Sequence, residues 1–293
     1  VIRGHRGGPG KIDARLGRAE RLLAEGSVAA APLALLAAVL RHHQARSSDD
    51  VVRAAAARSA SKVDGNLATD HFPLLELEHL AGVLADSMGV AVAALIAHGS
   101  DMVPEPLADA GREVQGWSAA EAQELAEVWL DDPSLVEPRL RFWAHVAGAP
   151  FLEAAAVGAR LPPPDAWRGG ACPLCGGQAQ VSVIAEESGE FMGGSPRSLV
   201  CARCATWWNF PRAVCALCGE EDPRHLASYV AEGRRVVRVD ACETCRGYVK
   251  TFDLREEGAA PIVPLVDDVA TLTMDLWASE QGFERAVVSI AGV

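Results

Sequence analysis

Eight cysteines, all between Cys172 and Cys245, are the residues of this 293-residue chain whose type and spacing point most directly to chemistry. They form four Cys-x-x-Cys pairs: Cys172/Cys175, Cys201/Cys204, Cys215/Cys218 and Cys242/Cys245. Two intervening residues let one tight turn aim both sulfurs at a point, and two such pairs supply four thiolates. That is a closed tetrahedral site for zinc or iron. Gly176 and Gly219 follow the second cysteine of the first and third pairs, where a positive φ relaxes the turn. The loop between Cys175 and Cys201 has 25 residues and that between Cys218 and Cys242 has 23, whereas the spacer Ala205–Val214 has 10. Near-equal loops favour sequential pairing, first with second and third with fourth. Cross-braced pairing leaves the match unexplained, although loop-closure entropy alone separates the two too little to decide. The expectation is therefore two metal ions: site 1 on Cys172, Cys175, Cys201 and Cys204, site 2 on Cys215, Cys218, Cys242 and Cys245.

Other uses of these cysteines fit less well. Structural disulfides need an oxidising compartment, and no apolar segment of export-signal type follows the basic, Gly-rich Val1–Gly10, which reads as a trimmed or disordered leader. A cytoplasmic location is expected. A thioredoxin-like redox pair would explain one Cys-x-x-Cys and leave three over. Histidine adds no ligand: only His225 falls among the cysteines and reads as a surface residue, while His42–His43 and His71/His79 lack the i, i+4 spacing of a helical zinc motif.

Aromatic residues stand beside the knuckles: Trp207, Trp208 and Phe210 after the second pair, Tyr248 and Phe252 after the fourth. Most are expected to pack over a small metal core. Trp207, Trp208 and Arg212 are the candidates for a partner-binding surface, because Trp and Arg are enriched at contact hot spots. The arginines of this region, among them Arg197, Arg203, Arg224, Arg234 and Arg246, are matched by equal acidity. No phosphate-binding Gly-rich loop, dinucleotide fingerprint or Gly-x-Ser-x-Gly elbow occurs, so no catalytic residue is assigned and a non-enzymatic role is expected.

The elements that must position these residues divide the chain. Residues 1–169 carry 16 basic and 22 acidic residues, residues 170–255 carry ten of each, and residues 256–293 carry one and seven. A net charge of −12 lacks the basic footprint of a nucleic-acid binder. Apolar residues at 49% exclude wholesale disorder, and no run of about 18 apolar residues is expected to span a membrane; Val28–Leu40, with Pro32 inside, reads as a core helix.

The first part reads as all-α. Ile12, Leu16, Leu22 and Leu23 line a helix ending near Gly26, Pro32 opens a helix over 32–46, and Asp49 and Asp50 cap a third towards Ser59. Leu74–Ala97 has helical spacing with a break expected near Gly89. Ser118 and Glu121 form a capping box for 119–130, and Leu135–Val146 and Phe151–Val157 complete the layer. Pro162–Pro164 mark a connector. Beyond it, short β-type runs (Val181–Ile184, Leu199–Val200, Ala227–Val230, Val236–Val239) predict small antiparallel sheets. Asp267 and Asp268 read as cap residues of a last helix over about 267–282. The fold class is α+β: a helical domain over 1–165, tandem rubredoxin- or zinc-ribbon-like modules over 166–256 (171–210 and 211–255), and a C-terminal segment over 257–293.

About 110 residues resemble the FdhE-type formate dehydrogenase accessory proteins. The resemblance rests on Cys172-Pro-Leu-Cys-Gly, Cys201-Ala-Arg-Cys-Ala-Thr-Trp-Trp, Arg212-Ala-Val-Cys-Ala-Leu-Cys, Cys242-Glu-Thr-Cys-Arg-Gly-Tyr-Val-Lys, Asp267-Asp-Val-Ala-Thr-Leu and Glu280-Gln-Gly-Phe, in order. It implies a cytoplasmic assembly factor or chaperone for a respiratory formate dehydrogenase that binds the catalytic subunit. It also implies a rubredoxin-like metal region with iron as the favoured occupant and zinc as the alternative. A rubredoxin-like electron carrier or redox sensor is the second reading, and neither nucleic acid nor membrane insertion is expected.

Overall fold

The computed structural model describes residues 12–97, 102–164, 166–184, 196–233, 235–256 and 262–290; Val1–Gly10 and Arg234 lie outside them. The helical layer comprises α1 (Ile12–Ala24), α2 (Ala30–Ser47), α3 (Asp50–Ala60), α4 (Val63–Ala68), α5 (Leu80–Ala97), α6 (Glu105–Gln115), α7 (Ala119–Asp131) and α8 (Pro138–Ala156). Local signals set several boundaries. The Asp49 carboxylate accepts from Val51 N at 2.8 Å at the start of α3, and Ser118 and Glu121 exchange reciprocal bonds at the start of α7. α2 begins two residues before Pro32, which still lies in the first turn, where a missing N–H costs nothing.

Tertiary contacts override the sequence pattern elsewhere. Leu74 and Leu75 are not helical; their N–H groups donate at 2.9 Å to the carbonyls of Pro173 and Leu174 in the first knuckle. α5 starts only at Leu80 and runs unbroken through Gly89, because its buried face is held by α6, α7 and α8. By length and composition α5 could cross a membrane, correcting the expectation that no such segment exists; half of it is buried against its neighbours here. The two expected segments around residue 150 are one helix, α8, with Pro150 inside. Pro150 has no N–H for the Val146 carbonyl, and His43 Nε2 donates to that carbonyl instead, at 3.1 Å.

The cysteine-rich part forms β1 (Ala179–Ile184), β2 (Arg197–Cys201), β3 (Trp207–Phe210), β4 (Leu226–Val230), β5 (Val237–Cys242), β6 (Gly247–Asp253) and β7 (Glu284–Arg285). Within each ribbon the strands are antiparallel, but β1 and β6 pair in parallel, Val181 opposite Lys250 through Ile184 opposite Asp253. The expected separate sheets are thus one sheet of order β3-β2-β1-β6-β5-β4, with β7 beside β6. β6 escapes a pattern reading because Lys250, Thr251 and Asp253 interrupt its apolar run, yet all seven of its residues are buried. The last helix is two, α9 (Pro264–Ala270) and α10 (Leu272–Glu280); α9 touches α1, α2 and β1, so it ties the helical layer to the sheet.

Candidate metal centres

Each Cys-x-x-Cys pair closes a knuckle of the same local form. Cys172 N donates to Gly177 O at 2.8 Å and Gly176 N to Cys172 O at 2.9 Å; Cys215 N to Glu220 O and Gly219 N to Cys215 O repeat this at 2.8 and 3.1 Å. In all four knuckles the residue after the second cysteine has positive φ: Gly176 at 71°, Ala205 at 55°, Gly219 at 78° and Arg246 at 58°. Two knuckles therefore hold non-glycine residues in the left-handed region, at about 1–2 kcal/mol each. Local sequence marks only the glycine pair; sulfur geometry imposes the same backbone on the others.

The knuckles converge two by two. Cys172, Cys175, Cys201 and Cys204 have their sulfurs within 4.8 Å of one another, and so do Cys215, Cys218, Cys242 and Cys245. Adjacent sulfurs are 3.4–3.6 Å apart in the first group and 3.7–3.8 Å in the second. A tetrahedron with metal–sulfur bonds of about 2.3 Å has edges of about 3.8 Å, whereas a disulfide needs sulfurs about 2.05 Å apart. All eight cysteines are free thiols. These groups could hold two metal ions.

Backbone amides support the sulfurs. Arg203 N donates to Cys201 Sγ at 3.3 Å, Leu217 N to Cys215 Sγ and Gly247 N to Cys245 Sγ at 3.4 Å. Gly177 lets the backbone close over site 1: a Cβ there would stand 3.0 Å from Cys201 Sγ and 2.8 Å from Arg203 Cδ. The buried sulfurs of site 1 perturb one another. Burial drives the Cys172 and Cys204 thiols far up, while hydrogen bonds from the three neighbouring thiols, helped by Arg203, hold Cys175 well down. Four sulfurs this close and buried lack a positive partner, and a divalent cation fits that shortage.

Residues 214–291 match the family described as FdhE, C-terminal domain. A Protein FdhE homolog of Aquifex aeolicus is 34% identical over 128 residues, 44% of each chain. One of Pseudomonas putida is 30% identical over 218 residues, 71% of this chain and 60% of the relative. The chain is similar in sequence to FdhE proteins. Its matches thus span between 44% and 60% of these relatives' own length. The fold is that of the crystal structure of the FdhE protein from Pseudomonas aeruginosa, with a TM-score of 0.67, 22% identity, and 99% and 98% of the two chains covered.

The structure also gives the family motifs around the second site a physical role that sequence reading missed. Lys250 Nζ lies 3.0 Å from Asp268 and pairs with Asp275; Arg285 lies 3.0 Å from both carboxylates; Tyr248 OH donates to Asp275 at 2.8 Å and Gln180 to Asp268 at 2.8 Å. The side chains of all four charged residues are at most 4% exposed. Against the upward push of burial, Arg285 and Lys250 hold the Asp268 carboxyl below the usual carboxylate range, whereas burial leaves Asp275 raised. The network joins β6 and β7 to α9 and α10 and is sealed from solvent, so it is a tertiary clamp. Asp267 and Asp268 are accordingly not simple caps. The helix begins at Pro264; Asp267 reaches back to Val263 N at 2.7 Å and pairs with buried Arg18, and Asp268 sits in the clamp. A run of charges in sequence gives no sign of such burial.

The candidate partner residues separate. Trp208 is buried and donates from Nε1 to Gly169 O at 3.1 Å, Trp207 is half-buried on β3, and Arg212 is exposed. His225 is exposed beside site 2, where Glu220 accepts from Thr244 Oγ1 at 2.6 Å; that bond, the Asp222 amide and His225 hold the Glu220 carboxyl down at about 2.

Proposed function

We propose that this chain is a non-enzymatic accessory protein for a respiratory formate dehydrogenase, acting in the cytoplasm by binding the catalytic subunit. The observation that carries the reading is the joining of two four-cysteine knuckle sites into one sheet, within a chain whose C-terminal part matches the FdhE C-terminal domain. Cys172, Cys175, Cys201 and Cys204 would hold one ion and Cys215, Cys218, Cys242 and Cys245 the other, with iron favoured over zinc. Bound ions would cross-link the knuckles and, as iron, add a one-electron couple. The parts 1–165, 166–256 and 257–293 then serve as helical body, metal module and clamp. Trp207 and Arg212 form the partner contact, with Trp208 supporting the strand from beneath.

Immobilised, metal-replete chain is expected to retain the immature catalytic subunit from a cell extract, and Trp207→Ala with Arg212→Ala to weaken retention about tenfold or more. Absence of retention under reducing, metal-replete conditions refutes the reading. The rubredoxin-like alternative is favoured by one feature, the exposure of Cys218 and Cys245 at site 2. It requires natively purified protein to contain iron and to bleach reversibly on reduction; colourless zinc protein excludes it.

A further inference from the structure

A cavity of about 650 Å³ lies where α1, α2 and α8 face the first knuckle, α9 and the segment after β7. Its size suits an organic ligand rather than one or two waters. Among the described residues, the buried side-chain nitrogens without any hydrogen-bond partner are Arg15 Nε, His43 Nδ1 and Arg203 Nε, and all three residues line this cavity. They are 6%, 4% and 5% exposed. A buried polar group left unpaired is costly, and three around one space mark a place built for a complement.

The chemistry of that complement follows from what each group lacks. His43 Nε2 donates to the Val146 carbonyl, so its Nδ1 is an acceptor without a donor. The two Arg Nε–H groups are donors without acceptors. The Arg15 charge is matched by Glu153, but Arg203 has only the carbonyls of Leu130 and Cys175, at 3.2 and 3.4 Å, and the face of Trp129 at 4.5 Å. Asp131 and Asp132 are exposed residues of the wall, so the buried part of the cavity has a surplus of donors and positive charge. Val39, Val146, Leu265 and Val269 supply an apolar lining.

We propose that this cavity is a binding site for a small organic anion, its apolar body against the aliphatic wall and its anionic group towards Arg203. The site is independent of client docking and of the identity of the metals. Arg203 lies between Cys201 and Cys204, so an anion here is held by the same segment that closes site 1.

The test titrates the metal-replete full chain with anilinonaphthalene sulfonate, an aromatic body bearing one anion, and with its uncharged parent N-phenylnaphthylamine. The expected result is one saturable site per chain for the sulfonate and binding about tenfold weaker or less for the uncharged parent. Val288→Trp, at a half-exposed position of the lining, is expected to abolish the sulfonate site with metal content and melting unchanged. Arg203→Gln is expected to weaken the sulfonate about tenfold or more and to leave the uncharged parent unaffected. Should Arg203→Gln lose metal, Val288→Trp and the uncharged parent decide. Absence of a saturable site, equal affinity for the uncharged parent, or an unchanged titration with Val288→Trp overturns the proposal.

Discussion

The two four-cysteine sites share one knuckle geometry and differ in what covers them. All four cysteines of site 1 are buried; in site 2, Cys215 and Cys242 are buried while Cys218 and Cys245 are exposed. Site 1 belongs to the same apolar cluster as the helical layer, is hydrogen-bonded to Leu74 and Leu75, and is reached by Arg203, which also holds the Leu130 carbonyl at the end of α7. Site 2 faces outward beside Glu220, Thr244 and His225. The same local motif therefore serves as a core element in one place and as a surface element in the other. Burial, set by which ribbon docks on the helices, makes the difference.

The sharpest way to break the comparison is to remove one ligand from each site. Cys175→Ser is expected to cost much of the metal's folding free energy, on the order of 10 kcal/mol, and to leave no cooperative unfolding transition. Cys218→Ser is expected to lose one ion while the helical signal still melts cooperatively; metal analysis with circular dichroism reads both. In the parent protein, a chelator with an alkylating agent should label Cys218 and Cys245 well before any cysteine of site 1, as mass spectrometry would show. Equal labelling would remove the distinction.

A smaller effect is expected from the clamp on β6, the strand through which the ribbons pair. Lys250→Met leaves Arg285 as the one cation against Asp268 and Asp275, and should lower stability by about 3–5 kcal/mol by denaturant unfolding. Both sites should then loosen together.

Acid should act on the site 1 side. Burial, with Arg203 and Arg15 nearby, pulls His145 down to about 4, and burial with His145 and Arg15 nearby pulls His43 well down. The unfolded chain binds these protons at higher pH than the native one. Stability is therefore complete above about pH 6.5 and falls as pH drops towards 4, by on the order of 2–3 kcal/mol for His145. His145→Phe should flatten that part of the stability–pH curve.

The smallest expected effect separates backbone strain from crowding. Gly219→Ala meets no atom within 4 Å and should cost about 1–2 kcal/mol through its φ of 78° alone. Gly177→Ala, which crowds Cys201 Sγ, should cost more and reduce metal retention at site 1. A reversed order would place the strain in the wrong knuckle.

The readable and the unreadable features divide by range. The Asp49 cap, the Ser118–Glu121 box and the Cys-x-x-Cys turns each involve atoms a few residues apart, so their geometry follows from local chain stiffness and hydrogen bonding. The helical spacing of Leu74–Ala97 misleads at its start because Leu74 and Leu75 bond to a segment about a hundred residues away. β3 and β6 carry no strand signal in sequence: the first is only four residues, Trp-Trp-Asn-Phe, and the second carries Lys250, Thr251 and Asp253, whose burial depends on partners in α9, α10 and β5.

Sequence by itself determined that eight sulfurs stand in four turns able to present them in pairs, that a helical layer precedes them, and that the order of motifs resembles that of FdhE proteins. Tertiary structure alone decided that both ribbons share a sheet, that one sulfur site is entombed and the other half open, and that a polar-edged cavity opens beside the first. The reason is physical. Turn and cap geometry is fixed by covalent neighbours, whereas burial, charge pairing and empty space arise only when distant segments compete for the same interior.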